Sequence, residues 1–170
     1  MSYFKKISLS LVVLCLLGTT AFMGTSTLSA QDNSGITIDK RSYQLGGVGA
    51  FSEMVGVGLK KLALGSPISS EEMDIMFPEI EKVAKRFDVI AYRETDFLVT
   101  DLFDEALTKG FELSIIYKGD TLREYKTLKF AKKNMVRAGT YTGRNREFIA
   151  RGMGRLLSYS DARITEMLKK

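Results

Sequence analysis

The chain has 170 residues, with 25 Lys and Arg against 20 Asp and Glu for a formal net charge of +5, and it contains no histidine, no tryptophan and one cysteine. Lacking histidine, it lacks the commonest general base and the commonest transition-metal ligand. That excludes Ser-His-Asp and Cys-His catalysis and ordinary zinc, copper and haem-histidine sites.

The N-terminus reads as an export signal. Lys5 and Lys6 give a positive start, Ile7–Leu17 is an apolar run too short to span a bilayer, and Gly18–Ala30 is small and polar. The expectation is a signal peptide over residues 1–30, cut after Ala30, with Thr19-Thr20-Ala21 as a second small-residue site. Cys15 lies inside the apolar run behind Leu14, where a lipid-attachment box needs a small residue, so it reads as apolar filler. A weak apolar continuation to Met23 leaves a retained anchor as the alternative. Residues 31–170 then form a single exported globular domain, periplasmic or secreted, with no cysteine for a disulfide or a thiol nucleophile.

Gly35–Asp39 is a short edge strand or a helix entry, and Ser42 is a reasonable N-cap. Tyr43–Leu64 follows, nearly uncharged, with Gly46, Gly47, Gly49, Gly56 and Gly58. Leu45, Val48, Val55, Leu59 and Leu62 recur at helical spacing, and Gly49, Ser52 and Gly56 form a small-residue stripe beside them. A helix apolar nearly all round is expected to be buried. Gly65 and Pro67 end it. Ser69-Ser70-Glu71-Glu72 reads as a capping box for a short helix over Ser70–Met76, and Pro78 opens another over Pro78–Phe87. Val89–Tyr92 reads as a strand, Phe97–Val99 as strand or helix start, and Asp101–Lys109 as a helix stopped by Gly110. Leu113–Tyr117 has the strongest strand composition. Three helices close the chain, over Thr121–Ala138, Arg144–Leu157 and Asp161–Lys169. The predicted fold is α+β: a mostly helical single domain around a buried Gly-rich helix, with a small sheet of two to four short strands.

Charge divides sharply along the chain. Gln31–Tyr117 carries 9 Lys and Arg against 15 Asp and Glu, and Lys118–Lys170 carries 14 against 5. Either the two halves face each other or the basic half meets an anionic partner.

Several constellations could carry function. Gly47-Val48-Gly49 suggests a dinucleotide turn, but Ser52 stands where a third glycine is needed and no strand precedes it. The same stretch suits helix packing in lipid, but Glu53 at its middle makes insertion costly. Gly49, Phe51, Ser52, Met54 and Gly56 could instead open a ligand pocket beside the helix. Asp96, Asp101, Asp104 and Glu105 are acidic but lack a calcium-loop glycine. Lys126, Lys129, Lys133, Arg144, Arg151 and Arg155 could form an anion-binding face. Phospholipid, polysaccharide and nucleic acid are its candidate ligands; export argues against nucleic acid, and membrane-surface contact remains open.

The expected function is a non-catalytic binding or interaction module for a small apolar or anionic ligand or a protein partner, without metal or cofactor. Two alternatives stand beside it. One is a histidine-free enzyme using Glu94, Asp101 or Asp104 with Tyr92, Arg93 or Lys118. The other is a self-associating envelope protein, which requires the glycine stripe to be partly exposed in the monomer.

Overall fold

Leu113–Tyr117 is the strand on which the molecule is built. In the computed structural model, which describes residues 39–103, 106 and 109–169, it is the middle strand (β3) of a three-stranded antiparallel sheet. β1 (Leu62–Leu64) pairs along one edge, with Leu62 opposite Tyr117. β2 (Ile90–Glu94) pairs along the other, with Ile90 opposite Tyr117 and Glu94 opposite Leu113. Leu113, Ser114, Ile115 and Ile116 are all buried. A strand covered on both faces has no polar side to alternate with, which explains its almost continuous apolar sequence.

Each face carries its own helices and its own core. α1 (Lys40–Gly56) and α2 (Ser70–Lys85) cover one face, where Val48, Val55, Met73, Met76, Ile80 and Ala84 pack on Ala63 and Ile116. α3 (Thr121–Arg137), α4 (Gly143–Leu156) and α5 (Asp161–Met167) cover the other, where Tyr125, Ile149, Met153 and Ile164 pack with Leu62, Leu113 and Ile115. The period-2 alternation of the strands sends Ile115 to one core and Ile116 to the other. The result is an α+β fold of three layers, helical in most of its length, and Thr37–Lys170 forms one compact unit.

The Gly-rich stretch departs from its expected form. The helix starts earlier, because Asp39 rather than Ser42 is the N-cap: its carboxylate accepts the Ser42 amide at 2.8 Å. It ends at Gly56, and Gly58 turns the chain at φ +80°. Leu62–Leu64, expected as the helix's last turn, is β1. Nor is the helix buried all round. Val48, Ser52 and Val55 face the sheet, while Tyr43, Ala50, Met54 and Val57 are exposed.

The two short helices expected on either side of Phe77 are one helix. Met73, Met76, Ile80 and Ala84 form a single buried stripe across Pro78. Burial of that stripe keeps both halves collinear although the proline removes one backbone hydrogen bond. Phe97–Val99 is neither strand nor helix; it is an irregular segment whose Phe97 and Leu98 are buried in the α3–α5 core. Asp101–Phe103 is a turn. The expected signal peptide over residues 1–30, Cys15, residues 35–38 of the Gly35–Asp39 strand candidate, Asp104 and Glu105 lie outside the described residues.

Candidate functional site

The residues predicted to line a pocket beside the glycine helix are not gathered at one cavity. Ser52 is fully buried on the sheet side and Gly56 packs on the α2–β2 connection, whereas Phe51 and Met54 are exposed. A Cβ added at Gly56 would lie 2.6 Å from the Phe87 carbonyl oxygen, so this glycine serves close packing. At Gly49 the nearest atom would be Val83 Cγ1 at 3.8 Å, an ordinary contact. Ser52 Oγ has no hydrogen-bond partner among the described residues despite its burial.

The strand-end groups are also dispersed. Strand alternation sends Tyr92 and Glu94 toward α3 and Arg93 toward α2. Glu94 is buried; its Oε1 accepts Lys129 Nζ at 2.9 Å and the Asp96 amide at 2.8 Å. The Tyr125 hydroxyl beside them accepts the Leu98 amide at 3.0 Å, and burial drives its phenol pKa well above the ordinary value. Across the sheet, Arg93 pairs with Glu112 at 2.5 Å and Asp74 at 2.6 Å, and this hydrogen bonding lowers the Glu112 carboxyl pKa. Lys118 pairs with Asp88 and Arg146 with Asp101. Glu94 and Asp101 are thus tied to separate cations, Lys129 and Arg146, and among the described residues no common cleft brings them together with Arg93 and Lys118.

The cationic residues divide into two sets. Lys129 is half-buried and ion-paired to Glu94 and, at 3.2 Å, to Asp96, so the acidic front of the chain engages this member of the expected anion-binding set. Lys118–Asp88 and Arg146–Asp101 are further pairs between the acidic and basic halves. Lys126, Lys133, Arg144 and Arg155 are exposed on α3 and α4, while Arg151 is half-buried against α5. Lys126 rests over the Tyr92 ring at 4.5 Å, Arg151 bonds Glu147 and Thr165, and Arg155 bonds Asp161. Lys133, Arg137 and Arg144 have no ion pair among the described residues.

Two aromatic residues complete these faces. Phe130 is 63% exposed and Phe148 60%. Around Phe130, cations stand four residues before (Lys126), three after (Lys133) and seven after (Arg137). Around Phe148, cations stand at the same three offsets, at Arg144, Arg151 and Arg155. Offsets of three, four and seven share a helix face, so each ring lies within a cationic row. Charge reasoning finds most of the cations, while the exposure of the two nearby rings comes from the structure. Their signal is the repeated spacing of the cations around them. A shallow groove of about 450 Å³ runs along α3 between Leu122, Arg123, Lys126, Thr127 and Phe130. A second, of about 390 Å³, lies by Arg146, Arg151, Thr165 and Lys169.

Among the described residues there is no cluster of three or more metal-ligating side chains, and no helix is long and apolar enough to cross a membrane. No family model, curated protein or solved structure matches the chain.

Proposed function

We propose that this protein is an exported, non-catalytic binding module that engages an anionic partner through the outer faces of α3 and α4. The carrying observation is the cationic row around an exposed phenylalanine, present with the same spacing on both helices. α3 holds six Lys and Arg against one Glu, and α4 four Arg against one Glu. Such an excess sets up a positive potential that attracts anions and falls with salt. Export is proposed from Lys5, Lys6 and Ile7–Leu17, and the mass of the N-terminus in cells tests it: a chain beginning at Gln31 is expected, and one beginning at Met1 overturns it.

Binding is tested on the purified protein against heparin, inorganic polyphosphate and anionic vesicles. Salt-sensitive binding to at least one is expected, and Lys126→Gln/Lys133→Gln/Arg144→Gln/Arg155→Gln should abolish it. Binding unchanged in that variant, or no binding to any anion, overturns the reading.

A second reading, self-association, is favoured by the outer face of α1. Tyr43, Met54 and Val57 are exposed there beside Gly46, Gly47 and Ala50. Light scattering of the native protein and of Met54→Glu decides it: a dimer that the substitution splits supports this reading, and a wild-type monomer ends it.

A further inference from the structure

We propose that the α3–α4 pair docks on an anionic phospholipid bilayer, with Phe130 and Phe148 entering the headgroup region and the surrounding cations holding lipid phosphates. This rests on the reading of α3 and α4 as the face for an anionic partner and names that partner. Charge complementarity comes first. Lys126, Lys133 and Arg137 stand around Phe130 without an ion pair among the described residues, whereas around Phe148 Arg144 is unpaired and Arg151 and Arg155 are paired with Glu147 and Asp161. Lone exposed apolar residues are ordinary, but two rings in the same cationic setting are a pattern.

A phenylalanine ring among cations can stack on a nucleobase as well as enter a bilayer, and the export proposed for the chain favours the bilayer. A bilayer supplies phosphate and hydrocarbon in a fixed order of depth. Lys and Arg side chains are longer than the Phe ring and carry their charge at the tip, so they reach back to the phosphates while the ring sits deeper. The α3 groove brings the same chemistry together, lined by Leu122 and Phe130 with Arg123 and Lys126. Docking on the surface, rather than crossing it, agrees with the absence of a spanning helix among the described residues.

The protein's lack of tryptophan makes the test direct. Phe148→Trp and Phe130→Trp each install a single fluorescent reporter. With vesicles of 30% phosphatidylglycerol in phosphatidylcholine, a blue-shifted emission is expected, quenched by brominated acyl chains; pure phosphatidylcholine should give no shift. Phe130→Ala and Phe148→Ala should each weaken vesicle partitioning by about fivefold to tenfold at unchanged melting temperature. Removing any one of Lys126, Lys133 or Arg144 should weaken it by about fivefold. If vesicles bind without a shift in emission and without loss in the alanine variants, the contact is electrostatic only and insertion is overturned. If heparin or a DNA oligonucleotide binds and vesicles do not, the lipid assignment falls while the anionic-partner reading stands. If no anion binds, both fall.

Discussion

Lys129 and Glu94 meet at 2.9 Å between α3 and the end of β2, and this pair separates the structural cation of α3 from the surface ones. Glu94 is nearly inaccessible, and Lys129 retains about a quarter of its side-chain exposure. Removing the lysine would leave a buried carboxylate without its main counter-charge, a loss that reaches several kcal/mol for fully buried pairs. Partial exposure of Lys129 reduces that, so Lys129→Ala is expected to destabilise by about 2 kcal/mol. Lys133→Ala, on the solvent side, should stay within about 0.5 kcal/mol. Chemical denaturation of the two variants checks the contrast. Equal stabilities would mean that Glu94 is satisfied without Lys129.

The glycines of α1 are expected to split in the same way. Among the described residues, Gly46 and Gly47 have nothing within 4 Å of an added Cβ, and Gly49 has only Val83 Cγ1 at 3.8 Å. Alanine at each should stabilise the helix by about 1 kcal/mol through propensity alone. Gly56→Ala meets the Phe87 carbonyl, a backbone atom that cannot turn aside, and should destabilise by about 1–3 kcal/mol. Thermal melts of the four single variants give the test. A neutral Gly56→Ala would show that the α1–α2 packing has slack.

These contrasts also show which parts of the structure could be read in the sequence. The five α3-to-α5 and β2-to-β3 elements were legible because each has its own local signal. Examples are the β-branched run of Leu113–Tyr117, Gly139 closing α3 and Ser160 capping α5. The end of α1 was not, because Leu59 and Leu62 continue the helical spacing of Val48 and Val55; only the pairing of Leu62–Leu64 with β3 reassigns them, and that is a contact across some fifty residues. Pro78 misled for a related reason: a local helix breaker was overruled by a stripe buried on the sheet. Charge counting recovered the surface cations but could not tell Lys129 from Lys133, since their difference is the carboxylate of Glu94 on another element. Hydrophobicity alone does not say which side of a helix meets solvent, so the exposure of Phe130 and Phe148 is set by how α3 and α4 pack.

Ser52 offers a sharper test of the sheet-side face of α1. Its hydroxyl is fully buried and unpartnered among the described residues. A buried hydroxyl without a hydrogen bond costs about 1–3 kcal/mol of desolvation, whereas a methyl in its place costs none. Ser52→Ala is therefore expected to raise stability by about 1 kcal/mol and the melting temperature by about 3 °C. Ser52→Val should lower it by overpacking against the sheet. A destabilised Ser52→Ala would reveal a partner for the hydroxyl and revive a ligand role for this face.

Acid sensitivity follows from the ion pairs. Glu112 is held below the ordinary carboxylate range by hydrogen bonding to Arg93, Asp88 by Lys118 and Glu72 by Lys40. A carboxylate with a depressed folded pKa releases its proton more readily in the folded chain than in the unfolded one. Its stabilisation is therefore fully present above the unfolded value of about 4 and is lost as pH falls through the lower folded value. Stability should be level from pH 7 to about pH 5 and decline below that. The pairs of Asp88 and Glu72 are solvent-exposed, so salt should screen them, while the more enclosed Arg93–Glu112 contact persists. Arg93→Met should accordingly reduce the acid-dependent part of the loss even at high ionic strength, and Lys118→Met should change it only at low ionic strength. Denaturant titrations at pH 3 and pH 7, each at two salt concentrations, measure all four quantities. An acid loss unaltered by Arg93→Met would remove Glu112 as its source.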